Sequence, residues 1–231
     1  MITAREIKDA FLHTLFPDVC AGCGNDNPGH NAILCLRCSE AMPETNYEFH
    51  AGNPIEKKFW GRLQLSGATA RYYFTRESLM QQLMHEFKYH QREYLRHVIG
   101  DWLAEVVNDG RLDPAQFDVI VPVPLHPAKQ RQRGFNQAVL LARSLSARTG
   151  IRVNVALKRV QYTKTQTAFD RAERMENLRD AFRLRKKMDV RGLRVLLIDD
   201  VLTTGSTLSE CARVLKRAGA ISVHAATAAR A

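Results

Sequence analysis

Apolar and polar positions along the chain predict strands and helices in turn from about residue 60 onward. Residues 65–74 alternate with the period of two of a strand that has one buried face. Residues 118–123 and 193–198 are continuous apolar runs, which are typical of strands buried on both faces. Residues 222–229 predict a closing strand.

Apolar residues at helical spacing separate these strands. They predict helices that include residues 79–87, 94–107, 138–145 and 208–215. Strands that alternate with helices indicate an α/β fold with a mostly parallel sheet and helices on both of its faces.

The first 58 residues have a different character. Residues 1–16 predict a short amphipathic helix, residues 17–38 contain four of the five cysteines, and residues 39–58 resemble a polar connector with breakers at Pro43, Gly52 and Pro54. We therefore expect two parts, an N-terminal region of residues 1–58 and an α/β domain of residues 59–231.

The charge is unevenly distributed. The whole chain of 231 residues has a formal net charge of +10, but residues 1–55 hold three basic and seven acidic side chains, which leaves 31 basic and 17 acidic ones in the remainder. A surplus of +14 suits polyanionic partners such as phosphorylated metabolites or nucleic acid. A solvated basic surface is the alternative.

Membrane insertion is not expected. Apolar runs stay well short of the roughly 20 residues of a membrane-spanning helix. The N-terminus lacks the continuous apolar stretch of a signal peptide, so the expected location is cytoplasmic.

Four cysteines predict a metal site, because the pairs Cys20/Cys23 and Cys35/Cys38 each have two intervening residues. Two such turns together supply the four thiolates of a structural zinc ion. So short a region has little apolar surface to bury, and we expect the metal to stabilise it. An iron–sulfur cluster, rubredoxin-like iron or two disulfides are the alternatives. Gly22 and Gly24 stand where such turns need positive φ. The fifth cysteine, Cys211, lies on the apolar face of a predicted helix and is expected in the core.

The segment from residue 193 to residue 207 predicts a phosphate site. An apolar strand ends in Asp199 and Asp200, and a run of small residues then opens a helix: Thr203, Thr204, Gly205, Ser206 and Thr207. Backbone N–H groups at a helix N-terminus attract phosphate, and paired carboxylates accept hydrogen bonds from a ribose diol. A Walker-type loop is excluded because no lysine follows the glycine. The alternative is an ordinary strand, turn and N-cap.

The chain resembles the ComF/GntX family of competence-associated proteins, within the type I phosphoribosyltransferase superfamily. The resemblance extends over almost the whole chain and rests on the cysteine pairs, VIVPVPLHPAKQRQRGFNQ (119–137), TKTQTAFDRAERMENLRDAF (163–182) and DDVLTTGST (199–207). The chain departs from the family at Ala168 and Phe169, where Gly-Leu is expected, and this bears on how that loop bends.

This resemblance implies further roles for basic residues. The turn after the strand at 119–123 would be the pyrophosphate loop, with backbone amides of Leu125 to Ala128 facing the ligand. Its members are Leu125, His126, Lys129, Arg131 and Arg133. A solvated basic face is the alternative for this cluster.

Residues 163–178 would be the superfamily's mobile hood, in which Lys164 folds over the diphosphate; an ordinary surface loop is the alternative. Lys88 is a candidate for reaching a phosphate, or is a lysine of the helix surface.

The functional expectation is a phosphoribosyltransferase-like protein that binds phosphoribosyl pyrophosphate with Mg²⁺ and is linked to DNA uptake or use in natural transformation. It would be an enzyme if a nucleophile attacks C1′ and pyrophosphate leaves. The alternative is a non-catalytic module on the same fold that senses the ligand or binds single-stranded DNA. Besides phosphoribosyl pyrophosphate, the candidate partners are single-stranded DNA and DNA-uptake or recombination proteins. The sequence identifies no acceptor.

Overall fold

The computed structural model describes residues 19–25, 33–61, 65–89, 95–108, 110, 112–161 and 180–231. A four-stranded parallel sheet forms its centre, in the order β1-β6-β5-β2. Its strands are β1 (Gly67–Tyr73), β2 (Val119–Pro122), β5 (Arg194–Leu202) and β6 (Ser222–Arg230). A separate antiparallel pair is formed by β3 (Leu157–Arg159) and β4 (Phe182–Leu184).

Helices cover both faces of the sheet. In chain order the described helices are α1 (Leu36–Glu40), α2 (Pro54–Lys57), α3 (Leu79–Tyr89), α4 (Leu95–Asn108), α5 (Pro127–Arg133), α6 (Gln137–Thr149) and α7 (Ser206–Arg217). Short 3-10 turns lie at Tyr47–Phe49 and Pro114–Gln116. Within the described residues, no helix is long and apolar enough to cross a bilayer.

The apolar run of β5 contributes to two cores, one on each side of the sheet. Leu196 and Ile198 pack with α3, α4 and α6, whereas Val195 and Leu197 pack with α7, β3 and β4. All four are fully buried. Successive side chains of β5 point to opposite faces, and both faces are buried, which explains why every residue of the run is apolar. Helices on both faces of a parallel sheet confirm the predicted α/β class.

Strand β5 is longer than the sequence predicted. It continues past Asp199 and Asp200 to Leu202, because β6 pairs with it along this stretch, at Asp199↔Thr227 and Leu202↔Arg230. The two aspartates therefore lie within the strand, which ends at Leu202.

The segment before β1 packs along this edge strand. The Tyr73 amide donates to the Pro43 carbonyl at 2.9 Å, and Asn53 Nδ2 donates to the Ala68 carbonyl at 2.8 Å. Ile55 and Phe59 are buried beneath it. Residues 43–59 thus cover the outer edge of the sheet, which would otherwise expose unpaired backbone groups. The boundary at residue 58 stays a prediction.

Candidate functional site

Two segments of predicted function leave the sheet side by side. Strands β2 and β5 are parallel neighbours with Pro122 opposite Ile198, and the Val123 amide donates to the Ile198 carbonyl at 2.9 Å. Residues 124–133 and 199–207 therefore emerge at the same carboxyl edge of the sheet, where open α/β sheets bind their ligands.

Asp200 is paired with a lysine from another element. Lys88, next to the end of α3, places Nζ 2.6 Å from Asp200 Oδ2, and both side chains are mostly buried. Burial acts to raise the pKa of Asp200, but the charge and hydrogen bond of Lys88, together with the Val201 amide, outweigh it and lower the pKa. Asp200 is thus ionised, and Lys88 contacts this carboxylate.

Asp199 has the opposite environment. Burial, and then the negative charge of Asp200, raise its pKa well above the usual aspartate value. Its Oδ1 accepts a hydrogen bond from the Asp200 amide at 2.9 Å. The site therefore combines a carboxylate that is held ionised with a neighbour whose ionisation is opposed.

The loop after β5 has the shape expected of an anion site. Gly205 has φ +80° and stands as the N-cap of α7, a conformation that favours glycine. The hydroxyls of Thr204 and Ser206 lie 3.0 Å apart. The loop lines a small pocket of about 40 Å³ that opens to solvent. Its lining residues include Asp199, Thr203, Thr204, Gly205, Ser206 and Thr207.

The turn after β2 is organised by His126. This side chain caps α5, with Nδ1 accepting from the Ala128 amide at 3.1 Å. Burial, followed by the charges of Arg159, Arg131 and Lys129, lowers the pKa of His126, which favours the neutral form that this cap requires. Because the Ala128 amide is occupied and Pro127 has none, the backbone donors of this segment reduce to Leu125 and His126.

Basic side chains of α5 adjoin the turn. Lys129 and Arg133 are half-buried, Arg131 is exposed, and burial followed by the charges of Arg159 and Arg133 lowers the pKa of Lys129. The Arg133 guanidinium stacks on the Tyr89 ring at 5.1 Å. Tyr89 follows Lys88, so the end of α3 contacts both Asp200 and α5.

Arg159 is a member of this charged group that the sequence did not single out. It ends β3, lies over the Phe182 ring at 5.4 Å and is close enough to Asp199, His126 and Lys129 for their charges to interact. Its place next to the segment 163–178 was the available sequence clue. Lys164 and the rest of that segment lie outside the described residues.

The four N-terminal cysteines form one cluster. Their Sγ atoms all lie within 4.8 Å of one another, and those of Cys23 and Cys35 are 3.7 Å apart. A tetrahedral zinc site with Zn–S near 2.3 Å requires about 3.8 Å between sulfurs, whereas a disulfide requires about 2.05 Å. The cysteines are free thiols, and their spacing fits a metal ion.

Backbone groups shape this cluster. Burial acts to raise the pKa of Cys20, but hydrogen bonds from backbone N–H groups, first that of Cys35, lower it to about 6. Cys38 differs, because burial and then the other thiols raise its pKa to about 12. Gly24 has the expected positive φ of +72°. Gly22 does not; it is needed because a Cβ there would lie 2.9 Å from Leu79 Cδ1 and 3.0 Å from Cys38 Sγ.

Comparison with known proteins agrees with this architecture. The family model of the phosphoribosyl transferase domain matches residues 88–231. Competence protein F of Haemophilus influenzae is 32% identical over 213 residues, which cover 90% of this chain and 88% of that protein. The chain belongs to the competence protein F family, with its phosphoribosyl transferase domain.

Other members have related names. DNA utilization protein YhgH of Salmonella typhimurium is 38% identical over 195 residues, covering 83% of this chain and 81% of that protein. Competence protein ComFC of Bacillus subtilis is 32% identical over 64% of this chain and 58% of that protein. A solved structure of glutamine phosphoribosylpyrophosphate amidotransferase from B. subtilis matches 62% of this chain and 30% of its own at 22% identity and a TM-score of 0.42.

Proposed function

We propose that the protein binds phosphoribosyl pyrophosphate together with Mg²⁺ at the carboxyl edge of its sheet. Asp199 and Asp200 accept hydrogen bonds from the ribose hydroxyls, and residues 203–207 hold the 5′-phosphate. The turn at Leu125 and His126, with Lys129, Arg131 and Arg133, faces the diphosphate. Mg²⁺ is held mainly by ligand oxygens, as is usual for this ion.

One observation carries this proposal. The contiguous acidic and hydroxyl-rich residues of 199–207 and the basic turn at 125–133, which is distant in sequence, emerge side by side where β2 and β5 end, and each group matches one part of the ligand. The acidic pair suits a sugar diol, the α7 N-terminus suits a phosphate monoester, and the cationic group suits a diphosphate. A purely structural strand end does not need this sequence of three chemistries.

The matching reaction is phosphoribosyl transfer. An acceptor nucleophile forms a bond to C1′ and releases its proton to solvent, the bond from C1′ to the diphosphate oxygen breaks, and pyrophosphate leaves with the electron pair of that bond. Bound Mg²⁺ would supply charge neutralisation for the pyrophosphate oxygens. A pyrophosphate-release assay with a panel of nucleobases and amines tests this step. Binding without release in every case would make the protein a ligand-sensing member of the fold.

Calorimetry tests ligand binding itself. The wild type should bind Mg²⁺ with phosphoribosyl pyrophosphate, and Asp199→Asn with Asp200→Asn should abolish binding while the protein stays folded. Each charge-assisted hydrogen bond contributes about 1.5–3 kcal/mol. A folded double variant with unchanged affinity would remove the aspartates from the site.

We also propose a role in the use of DNA, through sequence-independent binding of single strands. The names of the relatives support this role, and so does an exposed basic surface. On the β3–β4 pair, Lys158 lies directly opposite Arg183, and both are exposed. Like charges opposite each other destabilise a strand pair, so their presence favours an anionic partner.

For the cysteine cluster we propose one structural zinc ion per chain. Four sulfur ligands within a closed tetrahedral arrangement are typical of structural zinc, and leave no open position for catalysis.

A further inference from the structure

We infer that Lys58 and Phe59 are positioning residues that hold the phosphate-binding loop in shape. This inference rests on the proposed function, because it concerns the same loop. Both residues follow α2 in the N-terminal connector, nearly 150 residues before the loop in sequence.

Lys58 ties together the ends of two central strands. Its Nζ donates to the Thr203 carbonyl at 3.0 Å and to the Ala231 carbonyl at 3.5 Å. Thr203 follows β5 and Ala231 follows β6, and the Ala231 amide donates to the Leu202 carbonyl at 2.8 Å. Lys58 therefore fixes the point at which the chain leaves the sheet and the loop begins.

Phe59 supports the other end of the loop. Its ring is 1% exposed and lies so close to Gly205 that a Cβ on that glycine would be 3.0 Å from the ring atoms Cε1 and Cζ. Gly205 is the N-cap of α7. The ring thus presses against the residue whose positive φ aims the first amides of the helix.

Helix α2, which precedes Lys58 and Phe59, is hydrogen-bonded to strand β1. Asn53 caps α2 by accepting from the amides of Ile55 and Glu56, and its Nδ2 donates to the Ala68 carbonyl of β1. Glu56 Oε1 accepts from the Ala68 amide at 3.2 Å. Helix α2 is therefore bonded to the sheet by both of these side chains, and Lys58 and Phe59 reach from it to the loop.

Such support matters because the ligand groups of this loop are largely backbone amides. A side-chain ligand has its own rotamer, but a backbone donor is aimed only by what holds the chain. The Lys58 ammonium already donates to carbonyl groups of the protein. It acts through the loop rather than on the phosphate.

A test in the absence of ligand uses Lys58→Met, with Lys57→Met as a matched control, because Lys57 is the adjacent exposed lysine of the same segment. Hydrogen exchange of the two bonded amides that flank the loop, Ala231 to the Leu202 carbonyl and Ser209 to the Gly205 carbonyl, should accelerate about tenfold in Lys58→Met. It should stay unchanged in Lys57→Met, and Lys58→Arg should restore most of the protection. Equal exchange in the two methionine variants would overturn the inference, whatever the ligand proves to be.

A second test separates positioning from general stability. Lys58→Met and Phe59→Leu should each weaken ribose 5-phosphate binding about tenfold and leave the affinity for inorganic pyrophosphate unchanged, because pyrophosphate occupies the turn at 125–133. Equal weakening of both ligands would show a global effect and contradict local positioning. A wild type that binds neither compound would contradict the proposed function, and the exchange experiment would then decide the inference alone.

Discussion

Asp199 and Asp200 are neighbours in β5 with opposed electrostatic environments. Lys88 stabilises the charge of Asp200, whereas burial and the charge of Asp200 act against ionisation of Asp199. Placing two carboxylates side by side costs stability in the unliganded protein. A ligand that brings hydroxyl donors and Mg²⁺ to this edge would relieve that cost, and single substitutions should reveal it.

We predict opposite effects on stability from the two single asparagine variants. Unfolded Asp199 loses its proton near pH 4, whereas the folded protein retains it to higher pH, so this residue lowers stability as pH rises above about 4. Asp199→Asn should therefore exceed the wild type in stability at pH 7 and match it near pH 4. Urea unfolding across that range measures the difference.

Asp200→Asn should instead destabilise the protein by about 1–2 kcal/mol at pH 7, less than the loss of a fully buried ion pair. Because the pKa of Asp200 is lowered, its contribution is present above about pH 4 and is lost as pH falls through its folded pKa. Equal losses in both variants at pH 7 would contradict the asymmetry.

Gly205 should be more sensitive to substitution than other glycines of similar φ. Gly150 also has positive φ, +74°, but a Cβ there meets nothing within 4 Å, so Gly150→Ala should cost about 1–2 kcal/mol from backbone strain alone. Gly205→Ala must also displace the Phe59 ring, and should cost roughly 2–4 kcal/mol. Similar unfolding free energies for the two variants would argue against close support of the loop by Phe59.

At the scale of elements, the apolar patterns were reliable where they were long. The predicted strand at 118–123 corresponds to β2 (Val119–Pro122), and the predicted helix at 208–215 lies within α7 (Ser206–Arg217). Such patterns report burial on one or two faces, which local sequence determines. The extension of β5 to Leu202 depends on pairing with β6, which no local pattern contains.

The candidate site divides in the same way. Asp199, Asp200 and residues 203–207 could be singled out as candidates from the sequence because they are close together and chemically distinctive. Lys58 and Arg159 approach this edge from other elements, and each is an ordinary basic residue in its local context. Lys88 was a candidate for reaching a phosphate, but its contact with Asp200 could not be predicted from the sequence. Their roles appear only when the strand order brings them to one edge.

The cysteine cluster is an element whose stability should depend on its metal. We predict one zinc ion per chain by elemental analysis, and no stoichiometric metal would contradict this. Cys35→Ser should lose the ion and reduce solubility or folding before it reduces ligand binding, because few apolar contacts replace the metal. Cys211→Ala is the control: Cys211 belongs to α7 and is buried in the core between that helix and the sheet, so its substitution should leave the zinc content unchanged.

At the scale of the whole molecule, the positive charge is concentrated on the part that carries the sheet. The β3–β4 pair and the turn after it expose Arg183, Lys186 and Lys187. Arg185 is also exposed, but its Nε donates to the Leu157 carbonyl at 3.1 Å and helps to hold the pair together. A charge-reversal experiment should therefore spare Arg185.

We predict that changing Arg183, Lys186 and Lys187 to Glu weakens the binding of every single-stranded DNA about equally. Phosphate contacts carry no sequence information, so the loss should not depend on the DNA sequence. Three lost contacts should reduce the slope of log affinity against log salt by about 2. A control with Lys57, Arg143 and Arg217 changed to Glu lowers the net charge equally, from +10 to +4, but on dispersed helical positions. Equal weakening in both variants would indicate general attraction without a defined surface.

Competition by phosphoribosyl pyrophosphate with Mg²⁺ in filter-binding titrations would place DNA at the ligand site as well. If the wild type binds no single strand even at low salt, the direct DNA role is wrong, and the charge serves small phosphorylated ligands alone.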